Sequence, residues 1–590
     1  MSEHRTEAHG QDAALIWLLA TTAAPHWRPL AAALVLLLGA AVLNVAPPYL
    51  LQQAIDGPIA RGDPHGLWPI ALLYGGAALL MFALQYAYTY YLQQAGQRAL
   101  ADLRVRLFDH MIRQGQEFFG RMPTGDLVTR LTSDIDTINA LLSSSAVTIL
   151  VESVTLVAIV VVMLAANWRL ALLALAVLPV LALVTRYFRA IIRSSSTGER
   201  TALARQLAFL SERLHGMTIV QLFGYQKASA QEFDGYNMGY RRALIRLRDS
   251  SARFLATQEV LAAVGLALVL YWGGEGVLAG WATLGTLVAF VQYTERAFQP
   301  VLRLGEQYNA VQIALGAAER VQRLLTSPPS VQDPPEPVVL PRVRGAIELR
   351  HVSFSYVPDE PVLRDVSLSI PAGQSVAVVG ATGAGKSSLV GLLARFYDPQ
   401  QGQVLLDGVD IRRLSLESLR RAVAVVPQDP VCLAGTIAHN IRLYRSDVSD
   451  ADVRRAAEIA NAARFIEQLP GGYDYEVLAG GANLSVGQRQ LLALARALAL
   501  SPEGVLVLDE ATSSIDTATE ALIQEALDRI LHSRTSVVIA HRLSTIRNAD
   551  RIIVMHRGVI VEDGNHESLL ALNGYYARLH RHQLASHIED

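Results

Sequence analysis

The sequence predicts a chain of two parts, an all-α six-helix membrane domain with long cytoplasmic extensions followed by an α/β domain. Hydrophobic residues make up 51% of the 590 residues and charged residues 18%, against about 25% in an average soluble protein. The apolar runs long enough to cross a membrane all precede residue 325. After residue 345, short β-branched runs alternate with helical segments, which is typical of a largely parallel sheet.

Six apolar segments justify the membrane domain, because a transmembrane helix needs about 20 apolar residues. These segments are 29–51, 67–92, 142–166, 169–188, 253–278 and 281–303. Arginine and lysine are concentrated in the two long connections that follow the second and fourth spans. The positive-inside rule therefore predicts a cytoplasmic-membrane protein with both termini in the cytoplasm. Residues 11–27 are too polar for a span and predict a helix at the membrane surface.

The domain boundaries follow from these patterns. Residues 1–325 form the predicted membrane domain, 326–344 a proline-rich linker and 345–590 the α/β domain. Both long connections have helical periodicity, so we expect the spans to continue into the cytosol. A net charge of −2 does not suit a nucleic-acid-binding protein. The single cysteine, Cys432, excludes an intramolecular disulfide and is predicted to be a buried apolar side chain.

The α/β domain contains a phosphate-binding motif. The stretch GATGAGKSS fills the pattern G-x-x-x-x-G-K-[ST] and lies between an apolar strand and a helical segment, as the motif requires. The backbone of such a loop surrounds phosphates, Lys386 supplies a cation to the β and γ phosphates, and the Ser387 hydroxyl ligates Mg²⁺. The predicted ATP-binding residues of this loop are Gly380, Thr382, Gly383, Gly385, Lys386, Ser387 and Ser388.

A second motif, VLVLDE, supplies two carboxylates at the end of a buried strand. Acid pairs after strands are common in solvated loops, so this motif alone would not indicate a metal-binding or catalytic site. Beside a phosphate loop, we expect Asp509 to hold Mg²⁺ and Glu510 to polarise the attacking water.

Together these features resemble the ATP-binding cassette (ABC) transporter family, as an exporter half-transporter, over nearly the whole chain. The resemblance implies a cassette with an antiparallel β subdomain and a helical signature subdomain. It implies that Tyr356 stacks on adenine and that Gln428 joins Mg²⁺ and the attacking water to the membrane domain. It also implies a D-loop role for Asp516 and a switch role for His541, which would hold the γ-phosphate and orient Glu510.

Two cytoplasmic stretches resemble the loops through which the membrane domain of this family docks on the cassettes. They are EFFGRMPTGDLVTRLTSDIDTI (117–138) and SERLHGMTIVQLFGYQ (211–226). The stretch YEVLAGG (475–481) departs from the family's TEVGERG-like segment, with Ala479 where a second acid is expected. The resemblance therefore implies that conformational change is transmitted differently from the signature of this cassette to the membrane domain.

The signature LSGGQ, which contacts ATP held by a partner cassette in this family, reads LSVGQ here. Its residues are Ser485, Val486, Gly487 and Gln488. A positive φ would strain the valine, whereas a negative φ would cost little. The chain keeps its own catalytic residues, but its signature differs from LSGGQ. One half of heterodimeric exporters in this family has the same combination. We therefore favour a heterodimer with a second half-transporter over a homodimer.

Three acidic residues within apolar segments, Glu152, Glu259 and Glu295, bear on the cargo. We expect them to line an inner-leaflet cavity that favours cationic amphiphiles. Internal pairing, for example of Glu295 with Arg296, or access to cytosolic water remains an equal alternative. The predicted function is ATP-driven efflux of hydrophobic or amphipathic compounds, of the multidrug kind. A lipid flippase or lipid exporter is the nearest alternative, and an ABC-fold channel or regulatory subunit is another.

Overall fold

The computed structural model describes residue 17 and residues 21–22, 24–340, 342–509, 517–539 and 546–586. The chain forms two compact units, Met1–Ile112 with Thr124–Ser327, and Arg113–Pro123 with Pro328–Asp590. The described part of the first unit is helical, and that of the second contains both helices and sheets. The predicted surface helix at 11–27 lies largely outside the described residues.

Long helices dominate the first unit. In chain order they are α1 (Trp27–Leu43), α2 (Ala46–Ala54), α3 (Leu67–Ile112), then, after α4 (Gln116–Arg121) of the second unit, α5 (Thr124–Thr129), α6 (Ile135–Ala140), α7 (Ala146–Ala166), α8 (Trp168–Leu175), α9 (Val177–His215), α10 (Met217–Leu222), α11 (Gln226–Leu278) and α12 (Leu284–Thr326). Turns of π-helix occur at Ile55–Ile59, Arg130–Asp134 and Leu141–Ser145.

Five of the described helical segments are long and apolar enough to cross a membrane. They are Ala24–Ile59, Leu67–Ile112, Ala146–Ala166, Trp168–His215 and Gln226–Leu278. Four of the first five predicted spans lie within them, and the third, 142–166, begins four residues earlier. The sixth predicted span falls in α12, which has 43 residues but carries Glu295, Arg296 and Arg303. Helices α3, α9 and α11 have 46, 39 and 53 residues, so the predicted long extensions are confirmed.

Asn167 makes the short turn between α7 and α8. Its backbone is extended, with φ −160° and ψ 103°, and its side-chain oxygen accepts the N–H groups of Arg169 and Leu170 at 3.1 and 3.3 Å. An asparagine at this position satisfies N–H groups that the first turn of a helix leaves free. The tight turn predicted at NWR therefore has a specific cap.

Asp56 holds the N-terminus of α12. Its carboxylate accepts the Thr283 hydroxyl at 2.6 Å and the Gly285 N–H at 2.8 Å. A Cβ atom on Gly285 would lie 2.6 Å from the Asp56 carboxyl carbon and the Gln52 carbonyl oxygen, so only glycine permits this approach. The π-helical turn that carries Asp56 is thereby fixed to the start of α12.

The second unit contains two main sheets. The strands are β1 (Ile347–Ser355), β2 (Pro361–Ile370), β3 (Ser375–Val379), β4 (Gln401–Leu406), β5 (Val409–Asp410), β6 (Val423–Val426), β7 (Gly435–Thr436), β8 (Glu476–Val477), β9 (Val505–Asp509), β10 (Ser536–Ile539), β11 (Arg551–His556) and β12 (Val559–Gly564). An antiparallel sheet has the order β2-β1-β4-β5, and a six-stranded sheet has the order β12-β11-β3-β10-β9-β6. The predicted antiparallel subdomain is confirmed.

Alternate side chains of the parallel strands enter two different cores. Val376 and Val378 of β3 pack toward the antiparallel sheet, while Ala377 and Val379 pack toward the helical part of the cassette. Because successive side chains of a strand point to opposite faces, an unbroken apolar run is what a strand buried on both faces requires. This explains why the cassette strands are apolar throughout.

The other helices of the second unit pack against these sheets. They are α13 (Lys386–Leu393), α14 (Leu416–Ala422), α15 (Ile437–Arg442), α16 (Asp450–Ile459), α17 (Ala463–Ile466), α18 (Val486–Leu500), α19 (Thr517–Leu531), α20 (His566–Ala571) and α21 (Tyr575–Ser586). Cys432 is 1% exposed within the same core, so its predicted burial is confirmed.

The proline-rich segment lies along the cassette. The Val338 N–H donates to the Arg413 carbonyl at 2.8 Å, and the Leu416 N–H donates to the Asp333 carboxylate at 2.6 Å. The buried Arg395 donates to the Gln332 carbonyl at 3.0 Å. After Thr326 the segment contains no helix in its described part, and these bonds fix it to the second unit.

The second unit also includes Arg113–Pro123, which carries α4. A Cβ atom on Gly115 would lie 2.2 Å from Ser330 Oγ, so this segment packs closely against the residues that follow Pro328. The stretch 117–138, which resembles the first docking loop of the family, is thus divided between the two units after Pro123.

Candidate nucleotide-binding site

The six-stranded sheet brings several predicted site residues to one edge. Strands β11, β3, β10, β9 and β6 are parallel, so their carboxyl ends meet there. Strand β3 leads into the phosphate loop, β9 ends at Asp509, and Gln428 follows β6. Glu510, Asp516 and His541 lie outside the described residues, so their predicted roles stay predictions.

The phosphate loop has a backbone that its glycines make possible. Gly380, Gly383 and Gly385 have φ values of +157°, +80° and +101°. A Cβ atom on Gly380 would lie 2.3 Å from the Met555 carbonyl oxygen, and one on Gly385 would lie 2.7 Å from a Leu363 methyl group. Any side chain at these two positions would displace the loop. The loop can therefore surround phosphate with N–H groups at the N-terminus of α13.

Lys386, the first residue of α13, is held inside the loop that it serves. Its ammonium group donates to the Gly380 carbonyl at 2.6 Å and to the Ala381 carbonyl at 3.1 Å. The residue is 7% exposed. Burial lowers the pKa of Lys386, and the charge of Asp509 opposes that change. A largely desolvated cation beside free helical N–H groups favours binding of a polyphosphate.

Tyr356 lies in a cluster of three aromatic rings. Its ring meets Phe354 and Tyr397 edge-on, with centroids 4.8 and 5.2 Å away. Its hydroxyl donates to Ser388 Oγ at 3.1 Å, and the residue is 44% exposed. Two perpendicular neighbours thus hold the ring while part of the side chain remains accessible. This arrangement suits the predicted stacking on adenine.

The remaining loop residues and the proposed metal ligands differ in burial. Thr382, Gly383, Ser387 and Gln428 are exposed, and Asp509 is half-buried. Hydroxyl, amide and carboxylate oxygens are ligands that Mg²⁺ accepts, usually together with water and substrate phosphates. Among the described residues, His, Cys, Asp and Glu form no group of three or more that could hold a metal. The donor set suits a magnesium ion that binds together with a nucleotide.

The signature residues begin α18. Ser485 is its N-cap, and its side chain accepts the Gln488 N–H at 3.2 Å while the Gln488 side chain accepts the Ser485 N–H at 2.9 Å. Val486 is the first helical residue, lies outside the positive-φ residues and is 41% exposed. The valine therefore costs no backbone strain, and Gly487 behind it is buried. Within the described chain, no hydrogen bond or ion pair joins residues 485–488 to the phosphate loop.

The three intramembrane acids differ in their surroundings. Arg303 donates to the Glu152 carboxylate at 2.7 Å, and the Glu152 side chain is 8% exposed. Glu259 and Glu295 are exposed on the described first unit, and no ion-pair partner is found for either among the described residues. Arg296, beside Glu295 in sequence, instead donates to the carbonyl and side-chain oxygens of Asn44. The predicted role of the three acids in binding cargo stays a prediction.

Sequence reasoning missed two residues that shape these sites. Tyr397 contacts the Tyr356 ring, and Arg303 neutralises Glu152. An arginine within a predicted span was a usable signal for an ion pair, although nothing identified its partner. Tyr397, in the stretch RFYDP, gave no signal beyond following a helix.

Comparison with known proteins decides the family. Sequence profiles of the ABC transporter transmembrane region and of the ABC transporter cassette match residues 30–301 and 363–513. The chain is 38% identical, over 95% of its length, to the ATP-dependent lipid A-core flippase of Syntrophus aciditrophicus, and covers 93% of that protein. This chain belongs to the ABC transporter family. It is an exporter half-transporter, with one membrane domain and one cassette that binds ATP and hydrolyses it to drive transport.

Two further similarities concern the exporter's fold and cargo. A solved bacterial Atm1-family ABC exporter with ATP bound superposes with a TM-score of 0.77 at 30% identity, covering 94% of this exporter and 98% of that chain. A multidrug efflux ATP-binding/permease protein of Mycobacterium bovis is 37% identical over 93% of this exporter, which spans 46% of that protein. Relatives of this exporter thus carry names for both lipid and drug transport.

Proposed function

We propose that this exporter moves hydrophobic or amphipathic molecules out across the cytoplasmic membrane by alternating access. The observation that carries the proposal is the presence of charged side chains, Glu152 with Arg303 and the exposed Glu259 and Glu295, within the predicted apolar spans. A molecule with an apolar body and a polar group would find partners for both parts there. The names of the lipid and multidrug relatives support the same class of cargo.

The cassette residues have proposed roles in driving this cycle. Lys386 and the loop N–H groups would hold the nucleotide phosphates, and Tyr356 would hold the base. Ser387, Gln428 and Asp509 are the side chains proposed to hold Mg²⁺, which supplies charge neutralisation at the β and γ phosphates. Glu510 would orient the attacking water, with His541 supporting it.

Preference for cationic cargo depends on Glu259 and Glu295, which form no ion pair with any residue that the structure describes. Because Arg303 already neutralises Glu152, these two acids would attract a cation. We expect Glu259→Gln with Glu295→Gln to weaken transport of a cationic dye several-fold and to leave a neutral dye unaffected. Equal losses for both dyes would contradict this preference.

Lipid transport is a second candidate, which the position of Arg303 favours. The Arg303 side chain is 57% exposed although it pairs with Glu152, so its guanidinium remains accessible to an anionic headgroup. Stimulation of ATP hydrolysis separates the candidates. Lipid cargo predicts stimulation by an anionic lipid that Arg303→Gln abolishes, and drug cargo predicts stimulation by cationic amphiphiles that this variant retains.

We further propose that the partner is a different half-transporter. Val486 supports this proposal because its exposed side chain lies at the helix N-terminus that would approach ATP held by the partner. The intact mass of the complex purified from its native membrane tests the point directly. A mass of two unlike chains agrees with a heterodimer, and twice the mass of this chain contradicts it.

The function itself is tested in proteoliposomes that contain the complete transporter. We expect ATP-dependent accumulation of a fluorescent amphiphile, with loss of accumulation when Lys386 is replaced by alanine. ATP hydrolysis without accumulation of any amphiphile, drug or lipid would instead agree with a regulatory subunit or channel.

A further inference from the structure

A cavity of about 640 Å³ lies in the cassette and is lined by none of the nucleotide-site or signature residues. Its wall comes from separate parts of the chain. These are the end of the proline-rich segment, the end of α14, the Arg445–Val448 turn, one side of α16, the C-terminal end of α18 and Arg534. The volume is within the range of about 300–1,000 Å³ that is usual for small-molecule sites.

Arginines dominate the polar part of this wall. The cavity is lined by Arg342, Arg421, Arg445, Arg455 and Arg534, against the carboxylates Asp447, Asp452 and Glu503. Arg445 pairs with Asp447, Arg455 with Asp452, and Arg421 with both Asp447 and Glu417, the latter outside the cavity. In the described part of the chain, Arg342 and Arg534 have no carboxylate partner.

Arg534 is the more informative of these two arginines. It donates to the Ser501 carbonyl at 3.1 Å, but its Nε group is buried without a hydrogen-bond partner. Burial lowers the pKa of Arg534, and no neighbouring carboxylate offsets that effect. A partly buried cation without a counter-ion is costly, and an anion in the cavity would reduce that cost.

The rest of the wall is apolar. Leu340, Val343, Val448, Ile459, Leu498 and Leu500 line the same space. A free inorganic anion would leave this surface unused, whereas a molecule with both an apolar body and an anionic group would contact both parts. Guanidinium groups bind phosphate oxygens in pairs, so a phosphate can engage several of these arginines at once.

We propose that this cavity binds a small organic phosphate with an apolar body, at a site separate from the one for ATP. The proposal does not depend on the identity of the exported cargo. It adds a second anionic ligand to the cassette, placed between the proline-rich segment and the C-terminal end of the signature helix α18.

The test uses the full chain in nanodiscs with a saturating non-hydrolysable ATP analogue, so that the nucleotide site is blocked. Binding of 1-naphthyl phosphate is measured by calorimetry, with 1-naphthol as the probe that lacks the phosphate. Replacing both Arg342 and Arg534, the two arginines without a carboxylate partner among the described residues, by glutamine should weaken binding of 1-naphthyl phosphate by about tenfold or more. Arg350→Gln, on the exposed face of β1, is the matched control and should leave it unchanged.

A second variant keeps the test decisive if the arginine variant folds poorly. Ile459→Trp fills the cavity without changing its charge, and we expect it to weaken binding similarly. Failure of 1-naphthyl phosphate to bind, equal binding of 1-naphthol, or unchanged binding in both variants would overturn the proposal. Selective binding of the phosphate that both variants lose supports it.

Discussion

The Tyr356 hydroxyl donates a hydrogen bond to Ser388 Oγ over 3.1 Å. Ser388 belongs to α13, the helix that begins at Lys386, so one bond joins the proposed adenine-stacking ring to the phosphate loop. Tyr397 and Phe354 pack perpendicular to the same ring. The proposed contacts for the base and the phosphates are therefore held in a defined relation before ATP binds.

This arrangement separates two contributions of Tyr356. Tyr356→Leu removes the stacking face, worth about 1–3 kcal/mol, so we expect ATP to bind roughly 5- to 150-fold more weakly. Tyr356→Phe keeps the ring and loses only the bond to Ser388, so its effect should be several-fold at most. Calorimetric titration with ATP measures both. Equal losses in the two variants would show that the ring does not stack on the base.

The phosphate loop should not tolerate a side chain at Gly380. Gly380→Ala places a methyl group 2.3 Å from the Met555 carbonyl, and we expect ATP affinity to fall by more than about tenfold as the loop moves. Gly408 is the matched control, because its φ is +82° but open space surrounds it. Gly408→Ala should cost about 1 kcal/mol of folding stability and leave ATP affinity unchanged. Normal ATP binding by Gly380→Ala would contradict the structure of the loop.

Lys386 predicts a pH dependence of ATP binding. Burial lowers its pKa, so the lysine loses its charge at lower pH than a free lysine does. Bound phosphate favours the charged form, and ATP affinity should therefore fall as the pH rises from about 7 to 10. In Lys386→Arg, which stays charged, the affinity should be lower but nearly constant over that range. The same decline in both proteins would assign the titration to another group.

The Glu152–Arg303 pair predicts a coupling in stability. Arg303→Gln leaves a buried carboxylate without its cation, and we expect a loss of about 1–3 kcal/mol in the free energy of unfolding. Replacing Glu152 by glutamine in the same protein should recover part of that loss, because the uncompensated charge is removed. Thermal unfolding in nanodiscs measures the cycle. Additive losses in the double variant would mean that the two side chains do not interact.

Local patterns made much of the cassette predictable. A glycine-rich loop between an apolar strand and a helix defines its own geometry, so Gly380, Gly385 and Lys386 occupy the expected positions. The apolar strand before Asp509 likewise predicted that this acid would lie at the end of a buried strand, whereas the role of Gln428 came from the family resemblance. The sequence did not determine whether φ of Val486 is positive or negative. In the structure α18 begins at Val486, so this residue has helical backbone geometry.

Partners far apart in the chain were not predictable. Glu152 and Arg303 are 151 residues apart, and Asp56 reaches Gly285 across 229 residues. Such pairs depend on how the helices pack, which periodicity within one helix does not encode. The π-helical turn at Ile55–Ile59 also arises from a local break that helical periodicity smooths over. For this reason the prediction about the three acids changed most, because Glu152 is paired with Arg303.

The most direct test of the account measures ATP-driven uptake of an amphiphilic dye into inside-out vesicles that contain the complete transporter. The account predicts uptake that requires ATP and is abolished by Glu510→Gln in this chain, while Val486→Gly changes it modestly. Uptake that persists at the normal rate in Glu510→Gln would show that this chain's own nucleotide site does not drive transport.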